Sequence, residues 1–387
     1  MASYFPRVAL AEEMVVATSG ESDFSDASAG LFIAAPRRTG KTTFIRGDLI
    51  PAFERAGLVT AYVDLWANRD SDPFDLVAYA IASALAEAQA PLRRAAGIAA
   101  DLIAAVTIKD VNVDLREVGT VAHATLADAL KELHKASAKP VALIIDEAQH
   151  ALTSQRGDAL MFALKSARDQ MNMPGKAMLR LVMSGSDRDK LLRLTNTSAA
   201  PFYGASIKAM PLLKEDYIEH IASGLEWSNP KLQPVNRAKL MEAFDRFARR
   251  PEPFVKAYRE ALDPFADDAG TAPFEERVLN AADRHVSQEA ADYRSMFLGL
   301  TKVQQAVVAR MLEKQDTYRP MDADALAFYR DFVGSDVNTN AVNSALQSLR
   351  ENSPPIVWKS NRGEYALSDS GMDRWYANCR DAGLWPP

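Results

Sequence analysis

Cysteine is almost absent from this chain: Cys379 is the only one in 387 residues. A single thiol rules out an intramolecular disulfide and fits a reducing compartment. The five histidines, His123, His134 and His150 among them, have no spacing that would share a zinc ion with that thiol, so no zinc site is expected. Long apolar runs are missing too, none reaching the roughly 18 residues a membrane helix needs. The opening MASYFPRVALAEEM has neither the apolar stretch nor the cleavage site of a signal peptide, and the expectation is a cytoplasmic protein without membrane contact. Nor is there an excess of positive charge. Lys and Arg total 45 against 51 Asp and Glu, a net charge of −6. No global field therefore draws the protein to nucleic acid, and any such binding needs a local patch.

What is present is an ordinary globular composition, 48% hydrophobic and 25% charged, on a chain long enough for two or three domains. Four apolar runs read as buried strands: LFIAA from Leu31, LVTAYVDLW from Leu58, VALIIDEAQ from Val141 and MLRLVMSGS from Met178. Helical patterns separate them, TTFIRGDLIPAF directly after the first and Pro73 to Ala90 after the second. Strands alternating with helices predict an α/β core with a parallel sheet over residues 1–210. Ala90 to Val106 and the IKDVNVDL insert give no clear pattern.

Beyond Met210 no strand is expected for a long stretch. LLKEDYIEHIASGL, PVNRAKLMEAFDRFA and PEPFVKAYREAL read as three helices, giving a helical unit over 211–270, and APFEERVLNAADRHVSQEAADYRS reads as one connecting helix over 271–295. Three shorter helices follow within 296–387, the last, NTNAVNSALQSLREN, opened by Asn338 or Thr339 as its cap. PIVWKSNRGEYALSD then reads as two strands around Asn361-Arg362-Gly363. Three helices and a hairpin predict a winged helix-turn-helix domain.

The chemistry concentrates in two stretches. Ala35-Pro36-Arg37-Arg38-Thr39-Gly40-Lys41-Thr42 has the spacing GxxxxGK[ST], with alanine for the first glycine. In that motif backbone N–H groups cradle phosphate, the lysine reaches the β- and γ-phosphates and the hydroxyl meets Mg²⁺. Pro36, Arg37, Arg38, Thr39, Gly40, Lys41, Thr42 and Thr43 are thus the candidate ATP-binding residues, Ala35 being tolerable if its φ is negative. In the second stretch, four apolar residues run into Asp146 and Glu147 at a strand's C-terminal end, where ligands of open α/β sheets gather. With Thr42, Asp146 is the candidate Mg²⁺ ligand; Glu147 is the candidate catalytic residue that orients the attacking water. Ser184 and Ser186 end the next strand, where a hydroxyl can sense the γ-phosphate or cap a turn.

With APRRTGKTTF, LIIDEAQ, LVMSGS and PFYGASIKAMPLLKED, the chain resembles the archaeal-type ATPases of the STAND and AAA+ groups, related to the origin-recognition ATPases. The likeness covers about residues 5–265, and the ending EYALSDSGMDRWY is similar as well. It implies ATP binding at Lys41 and Thr42, metal at Asp146, hydrolysis aided by Glu147, and a nucleotide-dependent shift between core and lid. Related sequences often carry arginine where Ala205 follows Tyr203-Gly204, which leaves Arg188, Arg193 and Lys208 as candidate replacements; Arg249 and Arg250 are candidates for the lid's nucleotide sensor, against the alternative of a solvated charged face. The winged helix stays open between DNA and protein. Its 10 Lys and Arg against 11 Asp and Glu lack the basic stripe of a DNA reader, while Asn338, Asn340, Asn343, Lys359 and Arg362 keep DNA in view. The expected function is an ATP-driven switch acting on DNA or on a DNA-bound protein partner. The rival is a STAND-type signalling or defence ATPase whose homo-oligomerisation is gated by nucleotide.

Overall fold

The computed structural model describes residues 4–20, 27–68, 71–95, 125–173, 175–265, 272–360, 363–369 and 371–387. It divides into two compact units. One runs through Pro6–Ala35 and Thr42–Met210, the other through Met1–Phe5, Pro36–Lys41 and Pro211–Pro387.

The first unit opens with helix α1 (Val8–Ala17) and strand β1 (Leu31–Ala34). Helix α2 (Lys41–Phe44) passes through a π turn, Ile45–Leu49, into α3 (Ile50–Arg55). Then come β2 (Val59–Asp64), α4 (Pro73–Ala95), α5 (Leu126–Ser137) and β3 (Val141–Asp146). A 3-10 turn, Ala148–Thr153, leads to α6 (Gln155–Met171), β4 (Leu179–Gly185), α7 (Arg188–Leu192) and β5 (Ile207–Ala209). The sheet has the order β2-β3-β4-β1-β5 and every pairing is parallel. Strand β3 is buried along its whole length, as a central parallel strand covered on both faces must be, and this is why VALII carries no polar alternation. Ile33, Ile144 and Val182 of the sheet pack with Ile45, Leu49 and Phe53 and with Ala11 and Val15 of α1.

Four of the five strands are those expected from the sequence. The fifth, β5, is not: it has three residues, lies at the sheet edge and is largely exposed, so it needs no apolar run. Helix α1 was equally unforeseen, and α4 runs past Ala90 to Ala95. The IKDVNVDL insert lies outside the described residues.

The second unit contains α8 (Glu215–Ser228), α9 (Arg237–Arg246), α10 (Pro251–Leu262) and the 25-residue α11 (Phe274–Leu298). Phe244 and Phe254 form a core with Tyr217, Ile221 and the Val278, Ala281 and Ala282 face of α11. The far end of α11 places Phe297 in a second core. That core is closed by α12 (Lys302–Lys314), α13 (Ala323–Val333), α14 (Thr339–Glu351), the antiparallel pair β6 (Val357–Lys359) and β7 (Tyr365–Leu367), and α15 (Gly371–Asp381). The expected cap of α14 is Asn338, whose side chain accepts from Ala341 N at 2.9 Å. Helix α15 was not anticipated. No helix among the described residues is long and apolar enough to cross a membrane.

Candidate functional site

In the sheet unit, the polar groups gather at the carboxyl ends of β3 and β4. Asp146, fully buried, closes β3. Thr42 Oγ1 donates to its Oδ2 at 2.7 Å, and its Oδ1 accepts from Glu147 N at 3.0 Å and from the Ser184 hydroxyl. A buried carboxylate is costly unless hydrogen-bonded, and here both oxygens are engaged. Thr42 and Asp146, the two residues singled out as candidate magnesium ligands, are thus in hydrogen-bond contact. Ser184, also fully buried, faces Asp146, so in this state its hydroxyl serves the carboxylate.

Glu147 stands in the left-handed region at φ 54, a conformation costly for a residue with a Cβ and concentrated at functional sites. Its Oε2 accepts from Gln149 Nε2 at 2.5 Å, from Ser186 Oγ at 2.9 Å and from Ser186 N at 3.3 Å. The sequence singled out Glu147 and named Ser186. It gave no role to Gln149, whose only signal was its place two residues after Glu147. On neighbouring β2, the Tyr62 phenol is pushed well above its ordinary value by burial first and by the Asp146 and Asp64 charges second, so it stays neutral.

The donor set suits magnesium, a hard cation that takes one or two protein oxygens and fills its shell with phosphate and water. Thr42 and Asp146 supply hard oxygens. No group of three or more His, Cys, Asp or Glu able to hold a metal occurs among the described residues.

The glycine missing at position 35 is accounted for by the backbone. Ala35 is buried, continues β1 by donating its N–H to Gly185 O at 3.0 Å, and is not among the residues with positive φ. The left-handed turns fall later, at Arg38 (φ 67) and Gly40 (φ 85). Within the loop Thr39 Oγ1 donates to Pro36 O at 2.6 Å, and Lys41, the first residue of α2, is buried.

In the helical unit, Ala248 (φ 51) and Arg249 (φ 57) form two consecutive left-handed residues ahead of Pro251. That turn sends the two arginines to different places. Arg249 pairs with Asp245 at 2.8 Å on the surface. Arg250 is buried and grips Glu289 of α11 with both Nη atoms, at 3.0 and 2.8 Å, while its Nε donates to Phe247 O at 2.9 Å. A solvated face is therefore excluded for Arg250. Of the arginine replacements considered for Ala205, Arg188 opens α7 and Lys208 lies exposed on edge strand β5.

No protein-family model matches the chain, and no curated protein does. Solved structures do. The Walker-type ATPase PABY2304 of Pyrococcus abyssi is 17% identical with a TM-score of 0.50, over 97% of this chain and 99% of that one. The ORC2 protein of Aeropyrum pernix in its ADP form is 15% identical with a TM-score of 0.53, over 99% and 97%. The chain shares the fold of these two proteins. At such identities the likeness is one of fold, and the chemistry must be argued from this chain's own residues.

Proposed function

We propose that this protein binds ATP with Mg²⁺ and hydrolyses it to ADP and phosphate, as a switch that acts on DNA or on a DNA-bound protein. The observation that carries this reading is the carboxylate of Asp146, which takes the Thr42 hydroxyl of the phosphate-loop motif on one oxygen while Glu147 follows it directly in the chain. Loop amides and Lys41 bind the phosphates, and Thr42 and Asp146 hold the metal. Bound there, magnesium would neutralise charge on the transferring phosphoryl group. Glu147 accepts the proton of the attacking water once its Oε2 leaves Ser186 and Gln149.

The proposed layout is an ATPase core over 1–210, a lid over 211–270, a connecting helix over 271–295 and a winged helix over 296–387. Support for a DNA role comes from α14, whose exposed face carries Asn340, Asn343 and Gln347, side chains suited to base edges, with Arg350 its one cation. With so little charge, duplex binding should show a shallow salt dependence.

The test is a pair of variants measured with a fluorescent ATP analogue and a phosphate-release assay. Lys41→Ala should lose nucleotide binding. Glu147→Gln should bind as wild type does and release at least a hundredfold less phosphate, about the contribution of a positioned base. Normal turnover by the glutamine variant would assign the water to another residue.

A further inference from the structure

Two arginines from separate parts of the helical unit meet at one carboxylate. Glu289 receives the bidentate grip of Arg250. Arg38 of the phosphate loop places Nη1 3.7 Å from Glu289 Oε1 and Nε 3.8 Å from Glu252 Oε1. Burial, and then the Arg250 charge, pull the Arg374 guanidinium of α15 below the usual arginine range, while Glu289 opposes that shift. The carboxyl of Glu289 is held below its ordinary value chiefly by Arg250, then by Arg374 and Arg38.

The same face of α11 carries a second link one turn on. Tyr293 donates its hydroxyl to Asp369 Oδ2 at 3.0 Å, and Asp369 Oδ1 accepts the N–H of Gly371, the first residue of α15, at 2.9 Å. A Cβ at Gly371 would lie 2.1 Å from the Tyr293 hydroxyl, so only glycine lets α15 start this close to α11. Helix α15 is thus joined to α11 at Tyr293.

We propose that Glu289 is an internal stand-in for a nucleotide phosphate: it holds Arg250 until a phosphate displaces it. The inference rests on the reading of Arg250 as a residue that meets nucleotide. A guanidinium fork fits carboxylate and phosphate alike, and a buried Arg250 with both Nη atoms on Glu289 cannot grip a phosphate in the same way without letting go. Nucleotide affinity is then reduced by the fraction of molecules in which Glu289 holds the fork. Glu289 is a positioning residue in this scheme, since it acts through Arg250.

The test is a double-mutant cycle on the full chain, read by titration with a fluorescent ATP analogue. Glu289→Gln should tighten binding about tenfold, within the usual range of coupling between sites. In an Arg250→Ala background the same change should move affinity less than about twofold, because the competitor then has nothing to release. Unchanged or weaker binding in Glu289→Gln, or equal tightening in both backgrounds, overturns the proposal. Should Glu289→Gln fail to fold, Glu289→Asp keeps the charge and shortens its reach, and unchanged affinity in that folded variant overturns it equally. Absence of any binding by wild type would bring down the nucleotide reading itself, whereas wild-type binding with a silent Glu289→Gln brings down this inference alone.

Discussion

Ala35 and Gly40 sit five residues apart in one motif and ask opposite things of the backbone. Ala35 is buried at the end of β1 outside the left-handed region, where a side chain of one methyl costs nothing. Gly40, at φ 85, takes a conformation that strains any residue with a Cβ by about 1–2 kcal/mol. Ala35→Gly should therefore leave affinity for a fluorescent ATP analogue unchanged within about twofold. Gly40→Ala should weaken it about tenfold or more, the equivalent of about 1.4 kcal/mol. Tighter binding by Ala35→Gly would mean that the alanine is a functional handicap after all.

Among the elements, α8 and α9 are tied by a cation rather than by their cores alone. Arg237 at the start of α9 donates Nε to Glu219 Oε2 at 3.0 Å and Nη2 to Glu226 Oε2 at 2.9 Å, both carboxylates belonging to α8. The Arg237 hydrogen bonds lower both carboxyls, that of Glu226 from 4.5 to about 2. A depressed carboxyl contributes stability that is fully present above its unfolded value and lost as pH falls through the folded one. The clamp should accordingly hold above pH 4.5 and fade down to about pH 2. Thermal melts of wild type and Arg237→Gln should differ at pH 7 and converge at the acid end of that window. A gap that stayed constant to the lowest pH would show that Arg237 acts by packing its stem. Both carboxylates are surface groups, so the gap should also shrink with added salt.

For the whole molecule, the open issue is where the arginine for the transferring phosphoryl group comes from. The resemblance leads one to expect it after Tyr203-Gly204, and the chain has Ala205 there. Such an arginine is worth on the order of 10³–10⁵ in rate. The isolated protein should hydrolyse ATP slowly, and its rate per molecule should rise with protein concentration, or on adding duplex DNA, as a second chain or a partner supplies the charge. Phosphate release measured across concentration, with and without DNA, checks this. A fast rate that stays flat would mean that one chain holds a complete site.

The two motifs announce themselves because each is a short, local pattern. A phosphate loop needs Gly40, Lys41 and Thr42 in unbroken order, and a buried strand ending in Asp146 and Glu147 needs only its own apolar run. Helices α8 to α14 are legible for the same reason, since period and caps lie within each segment, as Asn338 does for α14. Strand β5 and helix α15 escaped, the strand because an exposed three-residue edge has no pattern to display. The pairings that define the site depend on side chains far apart in sequence: Ser184 on Asp146 across 38 residues, Ser186 on Glu147 across 39, Arg250 on Glu289 across 39. No local period encodes such distances. They follow from the parallel register that sets β4 beside β3, and from the packing of α10 and α11 around one core, which brings a buried arginine and the carboxylate that neutralises it to the same place.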